Sequence, residues 1–149
     1  MKQTLGQIAS VTMGQSPSSN FYNNEHEGLP FLQGCTTFGR LYPTYDTWTT
    51  SYNKEALPGD ILFTVRAPVG DVNLCKDHIA IGRGLASIRA TTVLPRYLFY
   101  ILEANKGKFQ SASSGTIYES INKDKLANIL LDIHSMDEQQ HIVGTRRQS

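Results

Sequence analysis

No stretch of this 149-residue chain is apolar for anything near the ~18–20 residues that a membrane-crossing helix needs. No basic segment followed by an apolar one opens it, so nothing reads as a secretory leader and the expected location is the cytoplasm. Cysteine is almost absent. Cys35 and Cys75 are too few and too far apart for a metal site, and a disulfide is not expected without export. Both are read as reduced, partly buried thiols. Charge is scarce as well: with a formal net charge of +1 the chain is no indiscriminate polyanion binder. That charge is uneven, four bases against six acids in residues 1–75 and ten against seven in residues 76–149, which permits a basic face. Repeats and low-complexity tracts are missing. What remains is one ordinary globular domain, long enough to bury roughly 70% of its unfolded surface.

The usual catalytic patterns are missing too. Ile81–Ser87 (IGRGLAS) imitates a dinucleotide-binding glycine run, but the following residues read as a strand and no acid appears before Glu103. The four histidines, His26, His78, His134 and His141, lack ligand spacing. Cys75 and His78 lie too near in sequence for a nucleophile and base assembled in space, and no G-x-S-x-G elbow exists. Asp60 and Asp71 invite a metal-nuclease reading, but an Asp after Pro-Gly commonly bonds its own turn amides. Catalytic and metal-ligating residues are expected to be none.

The informative part is Pro58–Ala86. Its glycines at 59, 70, 82 and 84 read as tight turns between short apolar stretches, with Arg66 and Arg83 among them. Asp60–Val65 is the best strand, and His78–Ile81, Leu85–Ala90, Pro30–Gln33 and Ile129–Ile133 are further candidates. Leu5–Met13 fits a short helix or a strand. Gly34–Ser51 reads as a β-hairpin or an exposed loop. Pro95 starts a helix that buries Leu98, Ile101 and Leu102, with Gly107 interrupting it. Ser111–Thr116 reads as a turn and Ile121–Leu126 as a short helix. Ser135–Glu138 is a capping box opening a last helix, expected to end about two turns later as the start of a longer element.

Taken in order, Gly14-Gln15-Ser16-Pro17, Tyr22-Asn23, Gly28-Leu29-Pro30-Phe31, Gln33-Gly34, Lys54, Pro58-Gly59-Asp60-Ile61-Leu62, Val65-Arg66-Ala67-Pro68-Val69-Gly70, Ile81-Gly82-Arg83-Gly84, Ser114-Gly115, Ile121 and Glu138-Gln139-Gln140-His141-Ile142-Val143 form a series. The chain resembles a target recognition domain of the specificity subunit of type I restriction-modification enzymes, over roughly residues 3–143. The resemblance implies a single α/β (α+β) domain with a twisted, mostly β core and flanking short helices. Residues 1–134 would be the recognition domain and residues 135–149 the start of a conserved spacer helix. It implies a non-catalytic reader of one half of a split double-stranded DNA target in a prokaryotic cytoplasm. Partners would be the methyltransferase and restriction subunits, with a second specificity half as a further possibility. S-adenosylmethionine, ATP and Mg would belong to those partners and none to this chain. The alternative is a truncated interaction module that binds only the methyltransferase subunit.

Reading base edges calls for arginine, glutamine or asparagine, and holding phosphates calls for lysine, hydroxyls and backbone N–H groups. Gln15 and Ser16 beside Pro17, and Gln33, Thr36 and Arg40 after the first strand, are the candidate readers. Lys54, Arg66, Ser114 and Thr116 are candidate phosphate anchors. Arg66 and Arg83 either meet DNA or brace turns through carbonyls, Asp60 or Asp71. Tyr42 and Tyr45 are candidates to line a groove, Trp48 is expected in the core, and Tyr22 and Tyr118 stay open.

Overall fold

A computed structural model of the chain describes residues 1–114 and 120–147. Its elements run β1 (Lys2–Thr4), α1 (Leu5–Ile8), β2 (Ala9–Met13), β3 (Tyr22–Asn23), β4 (Leu29–Leu32), β5 (Trp48–Thr49), β6 (Glu55–Ala56), β7 (Ile61–Thr64), β8 (Val72–Leu74), β9 (Ile79–Ile81), β10 (Leu85–Ala90), α2 (Pro95–Ala104), α3 (Lys106–Ala112), α4 (Lys123–Ala127), β11 (Leu130–Asp132) and α5 (Met136–Arg147). One sheet has the order β2-β10-β7-β8, all antiparallel; a second has the order β3-β5-β4-β9-β6, with β4 and β9 parallel. β1 and β11 form a small third ribbon. The architecture is α+β.

The unbroken apolar character of β7 has a packing cause. Ile61 and Phe63 face the main core with α2 and α3, whereas Leu62 faces a second core with Leu32, Ala56, Cys75, Ile79, Ile81 and Leu85. A strand covered on both faces loses the polar alternation of a half-exposed one. The β7–β8 hairpin closes over Val65–Gly70 by backbone bonds from Thr64 N–H to Asp71 O (2.9 Å) and Gly70 N–H to Thr64 O (3.0 Å). Arg66 is thereby carried at a fixed tip.

Two turn glycines behave as the sequence implies, Gly59 and Gly70 having φ of +96° and +99°. Gly82 and Gly84 also lie in a turn, closed by the Leu85 N–H bond to Gly82 O (3.1 Å), but neither has positive φ. They are small because other backbone passes against them.

Leu5–Met13 contains both alternatives in series, a helical turn and then a strand. Pro95 does open α2, whose Tyr97, Leu98, Phe99 and Leu102 are buried. The break after it falls at Asn105, not at Gly107. Asn105 Nδ2 donates to the Ile101 carbonyl (2.8 Å), capturing a helix acceptor, and Gly107 lies inside α3. Ser111 and Ala112 continue that helix, contrary to the expected turn. β8 escaped the sequence reading because Val72–Leu74 is too short to show a period.

The capping box forms as expected. Ser135 Oγ accepts from the Glu138 N–H (3.2 Å), while Glu138 Oε1 accepts from the Ser135 N–H (3.2 Å) and hydroxyl (2.9 Å). Those bonds hold the Glu138 carboxyl below its usual range. The helix extends 12 residues, beyond the two turns expected. Gln139 latches it to the body: its Oε1 accepts from the Leu94 N–H (3.1 Å) and its Nε2 donates to the His134 carbonyl (2.9 Å). Val143 reaches the main core.

Candidate nucleic-acid interface

Three chain segments meet where the two large sheets join. Gly14 N–H donates to Leu85 O (2.8 Å) and Gln15 N–H to Ile81 O (3.1 Å). Gly82 N–H donates to Leu32 O (2.8 Å) and Gly84 N–H to Gln33 O (3.0 Å). Such proximity leaves no room for side chains at the crossing. A Cβ on Gly14 would run into the Gly82 carbonyl, and one on Gly82 into the Gln33 amide.

This seam gathers the candidate readers. Ser16 Oγ donates to Gln33 Oε1 and accepts from the Arg83 N–H (3.1 Å), so Ser16, Gln33 and Arg83 form one cluster with Gln15 beside it. Gln15, Gln33 and the Arg83 side chain are exposed. Thr36 shares a concavity of about 180 Å³ with Gln33, Tyr22, Phe31 and Asp46.

The same backbone network continues to the anchors. Val65 N–H donates to Gly84 O (3.0 Å), Arg66 bridges Ser120, and Ser120 bridges Ser114. Lys54 sits across β9, its carbonyl accepting from the Ile81 N–H (3.1 Å). Gln15, Ser16, Gln33, Arg83, Arg66 and Ser114 thus lie on one hydrogen-bonded backbone strip, with Lys54 at its flank. One of the sequence candidates stands apart, and another is not among the described residues. Arg40 lies by the outer face of α2, in a concavity with Tyr42, Arg96, Tyr100 and Arg146. Thr116, like Tyr118, lies outside the described residues.

Arg66 and Arg83 are not turn braces through Asp60 or Asp71. Those carboxylates bond Arg89 and Lys106 instead, and among the described residues neither Arg66 nor Arg83 has a side-chain hydrogen bond or ion pair. Asp60 is buried and accepts from the Leu57 N–H (2.9 Å), Ser87 Oγ (2.7 Å) and Arg89 Nε (2.7 Å). Burial pushes its carboxyl up, but the bonds from Arg89, the Leu57 amide and Ser87 outweigh that and hold it below its ordinary value. Its role is structural, as the Pro-Gly-Asp turn implies, extended by partners on β10.

Other side chains add to the sequence reading or depart from it. Lys125 Nζ donates to Ser114 Oγ (2.8 Å), adding a cation beside an expected anchor. Trp48 is in neither core; it is half-buried with its ring stacked on His26, centroids 3.7 Å apart. His26 is held at φ +64° by the Asn23 side chain, which accepts from the Glu25 and Glu27 N–H groups (3.0 Å each). Asn23 in a polar run was the available signal, since Asx turns of this kind support left-handed residues. Tyr45 is half-buried and donates to Asp77 Oδ2 (2.7 Å); burial and that carboxylate push its hydroxyl pKa up.

The arrangement offers little for covalent chemistry. Burial pushes the Cys75 thiol up to about 12, with the thiol bonded to the Asp77 carbonyl, while His78 bonds Glu55 (2.6 Å). Among the described residues no group of three His, Cys, Asp or Glu side chains could hold a metal, and no helix is long and apolar enough to cross a membrane.

Residues 1–145 match the family described as Type I restriction modification DNA specificity domain. The chain belongs to that family. It is 41% identical over 134 residues to a Methanocaldococcus jannaschii protein named as a type I restriction enzyme MjaX specificity subunit, covering 89% of this chain and 32% of that protein. It also superimposes on the HsdS subunit of Thermoanaerobacter tengcongensis with a TM-score of 0.86 and 38% identity, covering 99% of this chain and 36% of that one. A chain from a structure concerned with assembly and conformational transition of the type I R-M system gives a TM-score of 0.90 at 38% identity, covering 99% and 37%. The S subunit from M. genitalium shares the fold, with a TM-score of 0.79 at 16% identity over 99% of this chain and 38% of that one. This specificity domain therefore spans about one third of the length of the relatives it matches.

Proposed function

We propose that this specificity domain reads one half of a bipartite double-stranded DNA target, without catalysis, and so directs a methyltransferase subunit to adenine and a restriction subunit to unmodified DNA. The observation that carries the proposal is the strip at the seam. Two exposed glutamines and two arginines without internal partners project from backbone that the sheets over-determine. Base edges are discriminated by such amide and guanidinium groups, and positional error is small when they stand on a rigid frame. Gln15, Gln33 and Arg83 act on bases, with Thr36 beside them. Ser16 holds Gln33 in place, while Arg66, Lys54, Lys125 and the hydroxyl of Ser114 act on phosphates. Arg40 is left out of this reading because it stands elsewhere.

Methyl donor, ATP and Mg are bound by the partner subunits on this reading. The testing experiment combines the chain with its methyltransferase subunit and a random duplex pool at low salt, followed by sequencing of the retained DNA. One enriched half-site of a few base pairs is the expected result. Flat enrichment sinks the proposal and leaves an interaction module that does not read DNA.

A further inference from the structure

The outer face of α2 forms the floor of a second concavity of about 850 Å³, lined by Arg40, Leu41, Tyr42, Arg96, Phe99, Tyr100, Glu103 and Arg146. Arg96, Phe99, Tyr100 and Glu103 follow the i, i+3, i+4, i+7 pattern of one helical face, so the trough runs along the helix axis. Its walls are the Arg40–Tyr42 loop on one side and α5 on the other. That loop is fixed by the Leu74 N–H bond to Leu41 O (2.6 Å) and by Asn73, which bonds both the Gly39 N–H and the Gly39 carbonyl.

The chemistry of the trough is specific. Arg40, Arg96 and Arg146 border it, Lys76 lies 5.6 Å from the Tyr42 ring centroid, and Glu103 is the single carboxylate among its lining residues. The Arg146 guanidinium sits 5.2 Å from the Tyr100 ring centroid, and Arg96 donates to the Tyr42 hydroxyl (3.4 Å). Cations laid on aromatic faces keep their charge while their stems add apolar cover. Between them Leu41 and the tyrosine rings give an apolar floor, backed by the buried Phe99. A phosphate backbone has no use for such a floor, whereas an amphipathic protein helix does.

We propose that this trough docks an acidic amphipathic helix of the methyltransferase subunit, on a face separate from the DNA-reading strip. The choice of partner rests on the proposed function; the choice of an acidic helix rests on the trough. Apolar residues of the docked helix cover Leu41, Tyr42 and Tyr100, and its carboxylates meet Arg40 and Arg96.

The test measures association of the full chain with the methyltransferase subunit by sedimentation, for the unaltered chain, Arg40→Glu/Arg96→Glu and Glu103→Gln. Charge reversal is expected to weaken association by about tenfold or more, and Glu103→Gln to strengthen it by removing a repelling carboxylate. Thermal unfolding of each variant establishes that it is folded, and an unfolded double variant leaves Glu103→Gln to decide. Unchanged association in a folded double variant overturns the proposal, as does failure of the unaltered chain to associate. Loss of duplex binding with unchanged association overturns it in favour of a DNA surface. Half-site enrichment uses the other face, so its failure is read independently.

Discussion

The glycines at the seam separate stability from selectivity in a way that two alanine substitutions can measure. At Gly14 the added Cβ meets only backbone: it runs into the Gly82 carbonyl oxygen and lies 2.8 Å from both the Gly82 carbonyl carbon and Leu85 O. Relief requires the segment to leave Ile81–Leu85, losing the Gly14→Leu85 and Gln15→Ile81 hydrogen bonds. Two such bonds contribute about 1–3 kcal/mol net, and overpacking adds about 1–3 kcal/mol. Gly14→Ala is therefore expected to cost about 2–6 kcal/mol. At Gly82 the main obstacle is the Gln33 amide, the far end of a flexible side chain, with Ser16 Oγ at 2.8 Å and Phe31 Cζ at 3.0 Å behind it. The amide swings away, and the cost falls to about 1–2 kcal/mol. Its bond with Ser16 is then lost, and with it the orientation of Gln33, relaxing preference at one base pair by about 1–3 kcal/mol. Urea unfolding followed by the single tryptophan, Trp48, gives the stabilities, and half-site enrichment gives the preference. Equal stability losses, or unaltered preference in Gly82→Ala, would refute the seam as the support of the reading residues.

Gln33→Ala is expected to relax preference at one base pair by about 1–3 kcal/mol while Arg40→Ala leaves preference unchanged, read from enrichment profiles of the two variants. Lys54→Ala should weaken all duplexes alike and flatten the salt dependence of binding, so a sequence-dependent loss would place it on a base instead. Asp60→Asn should destabilise by about 2–4 kcal/mol, since its buried carboxylate accepts bonds from four donor atoms, the exposed end of Arg89 contributing least. Because the folded-state pKa of Asp60 is lowered, its contribution is complete above the ordinary carboxylate pKa of about 4 and fades as pH falls through the folded value. The gap in Tm between the two proteins should accordingly narrow on acidification, and a gap that widens would refute the sign. Gly107→Ala, inside α3 with nothing within 4 Å of its Cβ position, should stabilise by about 0.5–1 kcal/mol in the same urea assay.

The sequence made the framework more legible than the surface. β7 carries the apolar run Ile61–Phe63 because its neighbours bury both faces, and that signal needs no partner to be seen. The Ser135–Glu138 capping box is local chemistry and is equally readable. Long-range economy was not readable. Gly82 and Gly84 do flank a turn, yet without positive φ, and they are small because segments about 50–70 residues away cross them. No local rule distinguishes a glycine needed for φ from one needed for clearance.

The candidate site divides along the same line. Ser16, Gln33 and Arg83 lie far apart in sequence, and the Ser16 hydroxyl joins them through contacts 17 and 67 residues apart. Arg40 was grouped with Gln33 by proximity along the chain, but the bonds of Gly39 to Asn73 and of Leu41 to Leu74 carry it to the edge beside α2. The same pairing that withdraws Arg40 from the strip supplies it to the trough. Conversely, the Asp60 and Asp71 carboxylates serve Arg89 and Lys106 instead of Arg66 and Arg83. An arginine is informative about a ligand only after the internal acids have been assigned. Here the buried Asp60 is bonded by β10 from within the fold, and among the described residues the guanidinium at the hairpin tip and the one at the seam have no internal carboxylate. The fold thus divides its basic residues between those that hold the frame and those that the frame presents.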